Sequence, residues 1–168
     1  MAAAELSRDA FADVMATHCA GVAVATCSRV GEEGSVPLGL AVTSLSAYTA
    51  EPPSVLLSVD VGSRSHDPIV ASEMLGVHLL AHDQAEVATV FSSKSDDKFG
   101  GLEWAWDGDV PRLGGVLAYL RCRVDRCFAH HDHTIVIGAV EEARVEREAR
   151  PLVYLDRRLG WHLVEHAA

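Results

Sequence analysis

"VLAYLRCRVDRCF", residues Val116–Phe128, is followed after a short polar turn by "TIVIGAVEEARV", residues Thr134–Val145. In extended chain, successive side chains point to opposite faces. Ala118, Leu120, Cys122, Val124 and Phe128 then share one apolar face, and Tyr119, Arg121, Arg123 and Asp125 share the other. The alternation predicts a long strand with a buried and an outer face, and Thr134–Val145 reads as the strand that returns beside it. Arg121 and Arg123 are outer-face charges on this reading.

Working outward, "GVAVATCS" from Gly21 reads as a buried strand, and the polar "RVGEEGS" as a hairpin loop. "VPLGLAVTSLSAY" is a second strand and "PSVLLSVDV" from Pro53 a third. "VHLLA" is short and buried, while "PLVYLD" with "LGWHLV" predicts a last hairpin. Three helices punctuate the strands. Ser7 caps one whose apolar positions Phe11, Val14, Met15 and His18 follow a helical period. Asp67-Pro68 starts a second that stops near Gly76. Asp83 with Glu86 resembles a capping box, opening a third that buries Val87, Val90 and Phe91. Ser92–Gly115 reads as one long irregular loop. Strands dominate, so the expectation is a mainly β, antiparallel barrel with peripheral helices, one domain over residues 1–168.

Composition narrows the partners. The chain has 168 residues, 49% hydrophobic and 23% charged, which suits a folded core rather than disorder. Its net charge of −10 provides no basic stripe to displace phosphate counterions, so no nucleic-acid partner is expected. The longest uncharged run, Gly34–Ala50, is too short and too rich in Gly, Ser and Thr to span a membrane. "MAAAELSRDAF" lacks the apolar core of a secretory signal. Cys19, Cys27, Cys122 and Cys127 share no CxxC spacing and read as small buried hydrophobes of a reducing, cytoplasmic compartment.

The sequence contains no GxGxxG, GxxxxGK[ST], GxSxG or HExxH. Two polar segments remain. "VTSLS" (Val42–Ser46) brings hydroxyls to a strand end, and "DVGSRSHDP" (Asp60–Pro68) sets Ser63, Arg64 and Ser65 before a helix, a candidate anion cradle. The turn "HHDH" packs His130, His131 and His133 around Asp132. Those residues fit a metal site, an acid/base cluster or an exposed turn. Zinc takes three or four protein ligands, and no Cys/His pair stands at a useful spacing, so no metal is assigned.

In order along the chain, "GVAVATCS", "PLGLAVTSLSAYTAEPPSVLLSVDVGSRSH", "LLAHDQ", "DKFGGLEW", "LRCRV", "DHTIVIGAV" and "PLVYLDRRLGWHL" resemble the short-chain flavin reductases. These are flavin reductase-like proteins with an FMN-binding split barrel, the reductase components of two-component monooxygenases. The resemblance spans about Phe11 to Leu163. It implies a homodimeric, Greek-key-like split β-barrel that transfers hydride from NADH or NADPH to FMN or FAD and supplies reduced flavin to a separate monooxygenase. It places Thr43, Ser44, Leu45 and Ser46 along the flavin, and Asp60, Ser63, Arg64 and Ser65 on its phosphate segment, with Ser65 for the more usual threonine. Ala81 and Gln84 match a segment that closes on the flavin ring, and Lys98 and Phe99 a loop that reaches its outer part. His78 replaces a common asparagine. His131, Asp132 and His133 match a "GDH" turn facing the nicotinamide, with His131 in place of glycine and His133 as the catalytic histidine. Tyr154 and Arg158 match a hairpin that completes this pocket across the dimer, and Leu159 or Trp161 stands for a frequent aromatic. Two other readings stay open: a flavin- or haem-binding split barrel without turnover, and an enzyme using bound flavin on its own substrate.

Overall fold

The computed structural model describes residues 6–160. The chain runs α1 (Arg8–Ala16), β1 (Ala20–Gly21), β2 (Ala23–Gly31), β3 (Gly34–Val42), β4 (Ser46–Ala50) and β5 (Pro53–Asp60). It continues through α2 (His66–Ala71), β6 (Met74–Leu79), α3 (Ala85–Ser92), β7 (Trp104–Asp107) and β8 (Val110–Leu113). Last come β9 (Ala118–His130), β10 (His133–Val145), β11 (Val153–Leu155) and β12 (Arg158–Gly160).

β9 and β10, the longest strands, pair antiparallel over nearly their whole length. Around them forms a seven-stranded antiparallel sheet in the order β3-β2-β6-β9-β10-β5-β4. The sheet curls on itself. Ala23, Ala25 and Cys27 of β2 share one buried cluster with Val42 of β3, Val55, Leu57 and Val59 of β5, Cys122 of β9 and Val136 of β10. Strands from opposite ends of the sheet therefore share an interior, while no ladder joins its edge strands β3 and β4. This is the mainly β, antiparallel split barrel expected from the sequence.

A second cluster lies on the outside of β2, β6 and β9. Val22, Val24, Leu80, Phe91 of α3, Phe99, Leu113 and Leu152 pack there around Tyr119. Tyr119 is consequently buried rather than on an exposed outer face, and its hydroxyl donates to Asp107 at 3.0 Å. Arg121 is half-buried, paired with Asp109 and Glu141. The ladder also slips at two points. Gly138 opposes Val124 but Ile137 opposes Arg126, so Asp125 is an extra residue that reverses the alternation. Beyond it Cys127 opposes the buried Val136 and Phe128 turns outward, 53% exposed.

Other expectations shift by less. α1 is capped by Ser7 as expected, yet Phe11, Val14 and Met15 are exposed on it. α2 starts at His66 without a side-chain cap and ends at Ala71. Gly76 does not stop it. That glycine sits inside β6, where a Cβ would lie 2.6 Å from Thr26 Oγ1 and 2.9 Å from His78 Cε1. Asp83 does not cap α3, because its carboxylate pairs with Arg147. The loop from Ser92 contains the hairpin β7–β8, and the second predicted strand breaks at Thr43–Leu45 into β3 and β4. Cys27 and Cys122 are buried, but Cys19 and Cys127 are exposed.

Leu57, 1% exposed, reports on the barrel interior. Leu57→Ala is expected to cost about 2–5 kcal/mol in urea unfolding, as truncation of a packed core leucine does. A cost below about 1 kcal/mol would mean that the interior is not close-packed.

Candidate functional site

The site is organised by the connection from β5 into α2. Asp60 closes the turn that leaves β5. Its Oδ1 accepts from Gly62 N–H at 2.6 Å and its carbonyl from Ser63 N–H at 2.9 Å. Ser65 N–H then donates to Ser63 Oγ at 3.2 Å, and Ser65 Oγ donates to the Gly39 carbonyl of β3 at 3.1 Å. Lys98 reaches the same carbonyl. Its Nζ donates to Gly39 O at 3.2 Å and to Phe91 O at 2.8 Å. Arg64 donates to the Asp96 carboxylate and to the carbonyls of Lys94 and Ser95. Burial, and next the nearby Arg64 charge, draw the Lys98 ammonium below its ordinary range. Two cations and two serines thus gather at one corner, and among the described residues Lys98 Nζ hydrogen-bonds to carbonyl oxygens alone.

The turn between β9 and β10 leans on this same connection. His133 stands opposite Asp60 in the β10–β5 ladder, and Val61 N–H donates to the Asp132 carbonyl at 2.9 Å. Asp132 Oδ1 accepts from His133 Nδ1 at 2.9 Å. That hydrogen bond is the main cause holding the Asp132 carboxyl below its usual range. His131 has φ of 50°, the left-handed conformation that glycine adopts without strain. A histidine there carries the turn at a conformational cost. Among the described residues, no group of His, Cys, Asp and Glu side chains is arranged to hold a metal ion.

Thr43 and Ser44 line an open cleft of about 480 Å³ with Tyr154, Arg157, His18 and Met15. Ser44 Oγ fixes this loop to β5, accepting from Ser58 N–H at 3.0 Å and donating to Ser58 O at 3.2 Å. Leu45 packs against the barrel interior, and Ser46 begins β4 opposite Leu56. Arg157, paired with Asp13, lines the cleft. Arg158 is exposed in β12 opposite Leu155 and is not among the cleft-lining residues. Trp161 lies outside the described residues. The remaining three positions stand apart. Phe99 is buried edge-on between Phe91 and Trp104. Ala81 is fully buried, its N–H donating to Gln84 Oε1 at 3.0 Å. Gln84 lines a separate cleft of about 320 Å³ with Gly114, Gly115, Glu103 and Arg147.

Residues 15–162 match the model of the flavin reductase like domain. This chain belongs to the flavin reductase-like family. It is 36% identical over 139 residues to the reductase subunit of a flavin-dependent monooxygenase from Mycobacterium tuberculosis, covering 82% of this chain and 72% of that protein. It is 32% identical over 157 residues to the reductase component of a 4-hydroxyphenylacetate 3-monooxygenase from Thermus thermophilus, covering 92% and 98% respectively. Its fold matches a Streptomyces globisporus NADH:FAD oxidoreductase, solved in complex with NAD and FAD fragments, with a TM-score of 0.86 and 26% identity. That match covers 95% of this chain and 98% of the other.

Within this flavin reductase-like chain, His78 is a core residue. It is fully buried, its Nδ1 lies 3.1 Å from the Val24 carbonyl, and its Nε2 accepts from Leu113 N–H at 3.1 Å. A carbonyl only accepts, so Nδ1 carries the proton of a neutral ring. The sequence assigns no site role to Arg157, His18 or His66, His18 being read there as a position on the first helix. Arg157 and Arg158 are adjacent and chemically identical, and only the fold of the hairpin separates them.

Burial depresses His78 to about 4. The unfolded chain therefore binds a proton here that the folded chain refuses, between about pH 6.5 and pH 4. Stability from this group is complete above that window and falls as the pH drops through it, by about 1.4 kcal/mol per unit of depression. Urea midpoints across the window should fall more steeply for the wild type than for His78→Asn. Parallel pH curves would contradict a neutral buried ring.

Proposed function

We propose that this protein transfers hydride from NADH or NADPH to FMN or FAD and supplies the reduced flavin to a separate monooxygenase component. The observation that carries it is the convergence of the Ser63–Ser65 segment, Lys98 and the Asp132–His133 turn on one connection, β5 to α2. The donor set suits a flavin phosphate. Burial first and then the Arg64 charge disfavour the Lys98 ammonium, and an anion beside it would relieve that cost. Ser63 and Ser65 add hydroxyls, and Thr43, Ser44, Leu45 and Ser46 offer loop groups along the flavin. When bound, the flavin supplies an acceptor for the nicotinamide hydride.

This chain's residues then bind and orient. His133 presents an imidazole whose Nδ1 is occupied by Asp132, leaving Nε2 free to meet the nicotinamide. Correct stacking of donor over acceptor is what hydride transfer needs from a protein, and little acid/base work is required. Tyr154 and Arg157 sit across the Thr43–Ser44 cleft, where a dinucleotide would pass. Arg157 lines that cleft within its own chain, and Arg158 keeps the role across the dimer that the resemblance implies. Asp60 shapes the phosphate turn. Ala81, Gln84 and Phe99 keep the flavin-side places that the resemblance implies, Gln84 also accepting from the Ala81 amide.

A second copy of the chain completes the proposal. Phe128 opposes Ile135 and Ile137 opposes Leu56 on the outward face of β9, β10 and β5. Phe128 and Ile135 are exposed, an apolar strip on a sheet face that symmetric association would bury. The free thiols of all four cysteines support a cytoplasmic setting.

His133→Ala is expected to raise KM for the preferred nicotinamide nucleotide about tenfold while FMN affinity changes less than about twofold. Equal losses of both would assign the turn to folding instead. Treatment with a chelator should leave the rate unchanged. For the interface, Phe128→Asp combined with Ile135→Asp should convert a sedimenting dimer to monomer. A dimer that persists would place the contact elsewhere.

A further inference from the structure

The connection from β5 to α2 ends in a side chain to which the proposed chemistry assigns nothing, His66. Its side chain is 13% exposed, and both ring nitrogens are engaged. Nδ1 lies 2.7 Å from the Asp67 carboxylate, and Nε2 lies 2.8 Å from Thr134 Oγ1. A carboxylate only accepts, so Nδ1 carries a proton, and Nε2 shares a hydrogen bond with the Thr134 hydroxyl. Thr134 is 3% exposed and follows His133 directly.

We propose that His66 is a positioning residue that locks the His131–His133 turn to the Ser63–Ser65 segment, so that nicotinamide affinity depends on a side chain that touches neither nucleotide. The inference rests on the reading of His133 as the nicotinamide-facing residue.

The turn joins the ends of β9 and β10, with β5 paired to β10 as far as His133 opposite Asp60, and exposed sheet ends open locally before the rest. His131 adds a left-handed conformation there. Besides the ladder pairs that end at His133 and Asp60, two contacts among the described residues hold the tip from the side. One is the backbone bond from Val61 N–H to Asp132 O, and the other is His66 on Thr134. The first belongs to the β5 ladder and moves with it. The second reaches across from the first residue of α2, adjacent to Ser65, and is the side-chain link between phosphate segment and turn. Removing the ring leaves a buried hydroxyl without its hydrogen-bond partner, which favours displacement of the strand end toward water. His133, whose side chain lies on the opposite face of the strand from Thr134, would then lose its set position.

The test compares His66→Ala, Thr134→Val, their double variant and Thr134→Ser in the full chain. His66→Ala should raise KM for NADH or NADPH about fivefold to tenfold, with FMN affinity by fluorescence quenching held within about twofold. Thr134→Val should do the same, the double variant should be no worse than either single one, and Thr134→Ser should restore wild-type KM. Hydrogen exchange without any nucleotide should quicken in the peptide spanning the turn and not in β2 or β3. Unchanged KM, additive effects, or equal losses of flavin and nucleotide affinity would overturn the proposal. If His66→Ala does not fold, Thr134→Val breaks the same bond from the other side and decides it. Should the wild type oxidise neither nucleotide, the proposed function fails on its own account. The exchange arm then still decides the lock, since unchanged turn protection refutes it.

Discussion

The antiparallel ladder between β9 and β10 is the constraint from which the other elements take their positions. Its inward side chains define the barrel interior, and its proximal outer face carries Tyr119 into a second cluster under α3 and β8. Its distal end carries the His131–His133 turn. The extra residue at Asp125 matters most, because it reverses which side chains face inward over the last part of β9. Without that reversal Phe128 would enter the interior and the outward apolar strip would not form.

The connection from β5 to α2 then turns a ladder into a site. Asp60 pairs with His133 in the sheet, Val61 holds Asp132, Ser65 meets Lys98 at the Gly39 carbonyl, and His66 reaches Thr134. Seven consecutive residues thus touch both ends of the proposed chemistry, the cationic corner and the histidine turn. The arrangement suits a reaction in which two ligands are stacked and a hydride crosses between them, since geometry rather than proton transfer is the demand.

Much of this was legible in the sequence. The two long strands within Val116–Val145 and the Ser7 cap are local signals, and the structure has both, although the face alternation reverses at Asp125. Ser63, Arg64 and Ser65 could be singled out because hydroxyls and a guanidinium crowd a helix start. What the sequence concealed depends on distant backbone. The carbonyl of Gly39 that gathers Ser65 and Lys98 has no signature in side-chain order. A bulge costs one residue and no change of composition, so the outward turn of Phe128 could not be read. Asp83 and Glu86 have the spacing of a capping box, but Arg147, far along the chain, competes for Asp83. Gly76 looked like a helix stop and proved to be a place where β6 passes close to Thr26 and His78. Likewise Arg157 faces α1 because Asp156 and Arg157 both take positive φ, which sequence alone does not announce.

The central claim is that one corner of a split barrel brings a flavin and a nicotinamide nucleotide together for hydride transfer. Its most direct test follows the loss of reduced-nicotinamide absorbance with purified protein, each of NADH and NADPH being offered with each of FMN and FAD. The account predicts catalytic oxidation in at least one combination, with flavin required. No oxidation above the protein-free rate in any combination would contradict it.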